Sequence, residues 1–450
     1  MVRDMTKGSC VRHILVFALP MLLGNLFQQL YSVADAAVLG RGVGVNALAA
    51  AGSTGSVNFF VLGFITGLTH GYSILVSQCF GSGSAKNTRQ AVTMGAWLSA
   101  LGALVMTAAS LIFSRPLLQL MGTPPELLED ALLYIRILFL GIGASVFYNY
   151  CSSVLRALGD SLSPLMMVVI SSIVNCVLDV LFVMVFDFGV AGAAWATVVA
   201  QLLSGFLCLL MLMRVKLLKM ERGDWRWDNG IAWKLLKLGV PVGLMNSITA
   251  IGGMMLQGVV NKLGADTVAA YTIGMKILGL AEQPTNLLAF SLGTFVGQNL
   301  GAGQTGRIRE AVRKTLLLSF LISAAVGCVM VFFGKPLSGL FLVDLESTET
   351  ASRVIDISYQ LILVGGLMQW ALGMLFTYRF ALQGIGDTAM PMVSGALELL
   401  LRIGLVLLLP APMEYWRICI AEVSAWLGAA LLLMATYYVR MAKEAPVRSI

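Results

Sequence analysis

Residues 77–97 read SQCFGSGSAKNTRQAVTMGAW, and 220 positions later residues 297–317 read GQNLGAGQTGRIREAVRKTLL. Gln78, Gly81, Gly83, Arg89, Ala91 and Val92 fall on Gln298, Gly301, Gly303, Arg309, Ala311 and Val312. Glycine punctuates loops everywhere, so one such match would carry little. Three further blocks keep the same order: Pro20 and Asn25 fall on Pro241 and Asn246, Phe113, Pro116 and Leu117 on Phe333, Pro336 and Leu337, and Gly159, Asp160 and Pro164 on Gly386, Asp387 and Pro391. Four ordered blocks at nearly constant offset mark an internal duplication.

What lies between these blocks is apolar. The 450 residues are 58% hydrophobic and 12% charged, far outside the range of soluble domains. Runs of about 20 apolar residues, the length that crosses a bilayer core, stand near 14–39, 50–75, 91–113, 132–154, 163–186 and 190–213. Six more stand near 233–261, 268–295, 312–334, 356–381, 390–410 and 417–439. The fold class expected is an all-α integral membrane protein, with twelve transmembrane helices in two pseudo-symmetric six-helix bundles. An even number per repeat lets both copies enter the membrane from the same side, related by an axis along the membrane normal. The amino-terminal lobe is expected over 1–213, a cytoplasmic linker over 214–230 and the carboxy-terminal lobe over 231–450, with the substrate path in the cleft between lobes.

Short cytoplasmic loops carry the excess of Lys and Arg. With the amino terminus inside, 21 of the 30 basic residues fall on the cytoplasmic side, including Arg156, the loop from Arg214 to Lys237, Arg379 and the tail from Arg440. Both termini are therefore expected in the cytoplasm. The net charge of +7 then reflects topology and membrane lipids rather than nucleic acid. The first apolar run is too long for a cleaved signal peptide. Seven scattered cysteines, an odd number without C-x-x-C spacing, suggest neither disulfides nor a metal centre.

A carboxylate inside the bilayer is costly unless paired, hydrated or protonated, so intramembrane acids are functional candidates. Asp35, Asp179, Glu282 and Glu398 stand well inside apolar runs. Asp179 follows Asn175 by four residues, on one helical face, and Thr197 lies at a similar depth on the next helix. Carboxylate, amide and hydroxyl oxygens suit a hard cation such as Na⁺, and two neighbouring acids equally suit a shared proton. Asn175 and Thr197 also fit ordinary helix hydrogen bonding. The second repeat lacks this set, with Arg402 and Val406 at the matching positions. Glu398 and Arg402, four apart, fit an intrahelical ion pair. Glu282, Met254, Met368 and Glu398 are substrate-cleft candidates, the methionines as a pliable surface. The glycines 63, 67 and 71, and 239 and 243, spaced by four, suit close helix approach. No phosphate loop, H-E-x-x-H or G-x-S-x-G motif is present, which speaks against an enzyme, an ATP-driven pump and any resident cofactor.

The 6 + 6 helices, the Pro20 helix ending in Asp35, the paired Gln-x-x-Gly-x-Gly loops, the Gly-Asp-x-x-x-Pro repeats, and Asn175-x-x-x-Asp179 followed by Ala196-Thr197 together resemble the multidrug and toxic compound extrusion (MATE) family, in particular its DinF-like prokaryotic branch. The likeness covers about residues 10–440. It implies a cation site at Asp35, Asn175, Asp179 and Thr197, a conformational role for Pro20, and exchange of external H⁺ or Na⁺ for a small organic cation from the cytosol. A monomer is expected. A flippase for lipid-linked saccharide precursors shares the architecture but would line its cleft with several bases, where only Lys276 and Arg402 stand clearly inside spans.

Overall fold

The computed structural model describes residues 2–342, 348–410 and 413–443; the end of the basic tail expected on the cytoplasmic side lies outside them. Among the described residues the chain is helical throughout, without strands. The first repeat holds α1 (Cys10–Gly42), α2 (Asn46–Gly81, interrupted at Thr54), α3 (Ala85–Leu120), α4 (Leu128–Leu140 and Ile142–Ala157, bent by 45°), α5 (Leu162–Val185) and α6 (Gly189–Met213). The second holds α7 (Asn229–Val260), α8 (Ala265–Gly301), α9 (Thr305–Gly339), α10 (Thr348–Gly384), α11 (Ala389–Leu408) and α12 (Glu414–Lys443). This is the twelve-helix, two-bundle arrangement read from the sequence. Among the described residues ten helices are long and apolar enough to span a membrane by themselves, and the two halves of the bent α4 are so when taken together. The twelfth, α8, has 37 residues and carries Lys276 and Glu282 along its length.

The helices are built inside-out relative to those of a soluble protein. On α9, Ser319, Ser323, Gly327, Gly334 and Ser338 form a buried stripe, while Phe320, Leu321, Phe332 and Phe333 are exposed. On α3, Ser99, Ser110 and Ser114 are buried and Leu104, Ile112 and Phe113 face outward. Small and hydroxylated residues allow helix backbones to approach, and the large apolar side chains are left for lipid.

Backbone proximity groups the chain into two compact units. One comprises residues 1–8, 16–247 and 297–303; the other comprises 9–15, 248–296 and 304–450. In the first unit the spaced glycines of α2 meet those of α7. A methyl group on Gly67 would stand 2.6 Å from the Val242 carbonyl oxygen and 2.7 Å from the Gly243 Cα, so only glycine allows this approach. The duplicated loops also pack reciprocally there: a methyl on Gly81 would overlap the Gln298 carbonyl, and one on Gly301 the Gln78 carbonyl. The two contacts, Gly81 with Gln298 and Gly301 with Gln78, exchange under the 220-residue offset, so the repeat is reciprocal here in space as well as in sequence.

Two further attachments tie this unit together. The Gln298 side chain accepts from the Met5 N–H at 2.9 Å and donates to the Ala157 carbonyl at 2.9 Å, holding the amino-terminal segment down. The linker is fixed at Asp224, which accepts from Arg89 Nε at 2.6 Å and from the Glu221 N–H at 2.9 Å. Burial opposes ionisation of Asp224, but these two donors outweigh it and hold its carboxyl below the usual carboxylate range.

Candidate functional site

The first unit encloses two adjoining cavities, of about 360 and 160 Å³. Tyr31, Leu62, Ser145, Thr197 and Gln201 line both, so Thr197 sits at their junction. Asn175 lines the larger chamber and Asp35 the smaller. Asp179 lines neither and is 1% exposed. It ends the α-helical part of α5; the chain then winds as a π-helix over Val180–Val185, the local irregularity that often accompanies a functional site. The loop that follows turns at Asp187 with φ 54°, a conformation Asp tolerates better than most residues.

The fold brings the four predicted residues together from α1, α5 and α6. Asp35 and Asp179 lie within Coulombic range of each other and of the Tyr31 and Tyr134 hydroxyls. Among the described residues, both carboxylate oxygens of Asp179, Oδ1 of Asp35 and both amide atoms of Asn175 are buried without a hydrogen-bond partner. Buried polar atoms are paired in nearly all proteins, so five such atoms grouped in one place leave hydrogen-bonding capacity open to a ligand. Thr197 differs: its hydroxyl donates to the Ala193 carbonyl at 3.1 Å, the ordinary helix bond its residue type allows. The set offers acidic and amide oxygens to a cation or proton, at a depth where an uncompensated charge costs about 3 kcal/mol or more. Among the described residues no cluster of three His, Cys, Asp or Glu side chains forms a metal centre.

The second unit places its charges differently from the expected intrahelical pair. Glu398 is 2% exposed and takes a short ion pair from Arg379 of α10, while its contact with Arg402 is long, at 3.9 Å. Arg402 instead grips Glu422 of α12 through two bonds, Nη2 to Oε1 at 2.7 Å and Nε to Oε2 at 3.0 Å. Glu398 is therefore a structural partner and not an open cleft acid. Arg379, counted above among cytoplasmic bases, is 6% exposed inside this cluster. Glu282 is half-buried on α8, in Coulombic range of all four side chains, and its carboxyl makes no ion pair among the described residues. Met254 and Met368 are half-buried on α7 and α10.

Sequence reasoning missed Tyr31, Asn149, Arg156 and Gln201 of the larger chamber, and Arg379 and Glu422 of the charge cluster. Glu422 was open to detection, since it interrupts the apolar run from Ile418 to Val423. Arg156 gave no such signal, because it stands beside a loop.

The MatE family model matches residues 20–181 and 241–408, one copy on each repeat. The probable multidrug resistance protein YoeA of Bacillus subtilis (strain 168) is 27% identical over 362 residues, 78% of each chain. A protein of Shewanella oneidensis named FAD transporter is 29% identical over 359 residues, 76% of this chain and 77% of its own. A crystal structure described as MATE in the bent conformation superposes with a TM-score of 0.89 at 23% identity, covering 98% of this chain and 97% of the other. The chain belongs to the MATE family of multidrug efflux transporters and is a multi-pass membrane transporter rather than an enzyme.

Proposed function

We propose that the protein is a secondary antiporter that exports a small organic substrate in exchange for H⁺ or Na⁺, with Asp35, Asn175, Asp179 and Thr197 as the coupling site. The observation that carries this reading is the buried Asp179 carboxylate with neither oxygen partnered among the described residues, next to Asp35. A proton or Na⁺ arriving there neutralises a charge that the surrounding helices do not. The site then favours one conformation when loaded and another when empty, which is what exchange requires, since a ligand shifts an equilibrium only through differential affinity.

Pro20, inside α1, removes one backbone hydrogen bond and gives the helix a place to bend as the site loads. We assign the substrate chamber to the larger cavity, whose volume lies in the range of small-molecule sites. Met254, Met368 and Glu282, expected at a substrate cleft, do not line this chamber. The lobes are taken as 1–213 and 231–450, with both termini cytoplasmic in a prokaryotic cell membrane and the transporter working as a monomer. A flippase for lipid-linked diphosphates is disfavoured, because Arg379 and Arg402 are each engaged by a glutamate.

The test is efflux from proteoliposomes in which the pH and Na⁺ gradients are imposed separately. Export driven by one of them supports antiport, and export indifferent to both removes it.

A further inference from the structure

The larger chamber carries one formal charge, and it is positive. Of its seventeen lining residues, five are carboxamides, six aliphatic hydroxyls, two tyrosines and three aliphatic; the remaining one is Arg156. No acid lines it: Asp35 belongs to the smaller cavity, and Asp179 lines neither. An organic cation in this chamber would meet the repulsion of a fixed guanidinium without a carboxylate in the wall. An anion would meet the side chain best shaped to grip two oxygens at once.

Most of the polar wall is already used by the protein. Ser171 bonds Ser204, Ser145 bonds Gln201, the Asn149 amide donates to the Ser145 carbonyl at 2.8 Å, and Thr197 donates to Ala193. Asn175 is 2% exposed, and of the lining residues it has buried side-chain polar atoms, Oδ1 and Nδ2, without a partner among the described residues. A planar group with a donor and an acceptor side by side, such as an imide or a heteroaromatic amide, satisfies both atoms. Arg156 stands in the last turn of α4, with its guanidinium in hydrogen-bonding reach of the Tyr148 hydroxyl. Five N–H donors let a guanidinium keep that neighbour and still bind a carboxylate or phosphate. From Ser145 to Arg156 the lining of α4 runs eleven residues, roughly 16 Å at 1.5 Å per residue.

We propose that this chamber selects an elongated, soluble organic anion, with its carboxylate or phosphate monoester on Arg156 and an amide-bearing heterocycle at Asn175, a residue that the coupling ion and the substrate then occupy in turn. This replaces the organic cation expected from the sequence, and it rests on the reading above that the larger cavity holds the exported substrate. A cavity of about 360 Å³ admits a drug-sized solute and not a lipid with its acyl chains.

The test is equilibrium binding to the purified full chain in neutral detergent, with no gradient, so that its outcome is separate from that of the coupling experiment. The probes are flavin mononucleotide, which carries a phosphate monoester and an imide edge; riboflavin, the same heterocycle without phosphate; and tetraphenylphosphonium as the cation. Flavin mononucleotide is expected to bind at least tenfold more tightly than riboflavin and than the cation. In Arg156→Ala the advantage over riboflavin disappears while riboflavin affinity stays within threefold, and Arg156→Lys, which keeps the charge but not the fork, lies between. Equal binding of the two flavins by the unsubstituted protein, tighter binding of tetraphenylphosphonium, or equal loss of both flavins in Arg156→Ala overturns the proposal. Displacement of bound flavin mononucleotide by stoichiometric phosphatidylglycerol overturns the assignment to a soluble anion. If Arg156→Ala aggregates on size exclusion, the flavin ratio in the unsubstituted protein decides alone.

Discussion

Replacing Glu422 by Gln removes one negative charge from a cluster in which two arginines and two glutamates sum to zero. All four side chains are no more than 7% exposed, so water compensates little for the lost charge, and the nearby acid Glu282 makes no ion pair with either arginine among the described residues. The substitution also changes the hydrogen bonding. Arg402 donates to both oxygens of Glu422, at 2.7 and 3.0 Å, and a carboxamide accepts one of these bonds while turning an NH₂ towards the other donor. Breaking a buried pair from one side costs about 3–5 kcal/mol. Removing both members, as Arg402→Met with Glu422→Leu, leaves Arg379 and Glu398 as a neutral pair and restores packing, so most of the loss returns. Unfolding of the detergent-solubilised protein by titration with a denaturing detergent, followed by tryptophan fluorescence, measures both quantities. A Glu422→Gln protein within about 0.5 kcal/mol of the parent, the usual scatter of inconsequential substitutions, or a double variant no more stable than the single one, would refute the charge balance argued here.

Three other outcomes follow from packing and titration. Gly67→Val places branched carbons where the Val242 carbonyl and Gly243 backbone already stand, so the thermal midpoint of this variant should fall well below that of an outward-facing control such as Leu104→Ala; an unchanged midpoint contradicts the α2–α7 contact. Asp224→Asn should cost about 2 kcal/mol at pH 7, the worth of a charge-assisted bond to Arg89. Because the folded carboxyl titrates below its unfolded value, this contribution is complete above about pH 4 and fades as pH falls through the folded value. The gap between the two proteins should therefore narrow as the pH falls below the usual carboxylate range, and a gap that stays constant on acidification points to packing alone. Pro20→Ala restores a backbone bond in α1 and should slow gradient-driven efflux severalfold without lowering thermal stability; unaltered efflux removes Pro20 from the conformational change.

The number and placement of the spans were legible in the sequence, because crossing a bilayer demands a length of apolar chain that can be counted without knowing its neighbours. The common helical face of Asn175 and Asp179 was legible for the same reason, being a property of one helix. Partners on different helices were not. Glu398 and Arg402 look like a pair because spacing by four is the relation a single helix displays, whereas the fold gives each a closer partner, Arg379 and Glu422. The sign of the larger chamber was hidden in the same way. Arg156, near the turn between α4 and α5, reads as one more loop base until the bundle closes and its side chain joins the cavity wall. The reciprocal packing of Gly81 with Gln298 and of Gly301 with Gln78 lay between these cases: the repeat named the residues, and only the fold brought them face to face.

In the proposed coupling site Asp35 and Asp179 hold the driving ion. This assignment is tested most directly by reconstituting Asp35→Asn and Asp179→Asn, each shown to elute as folded protein, and measuring export under imposed pH and Na⁺ gradients against the unsubstituted transporter. Each carboxamide mimics a carboxylate that is permanently neutral, so the gradient-driven component of export should vanish in both. Export by either variant that follows the gradient as the parent does would contradict the account.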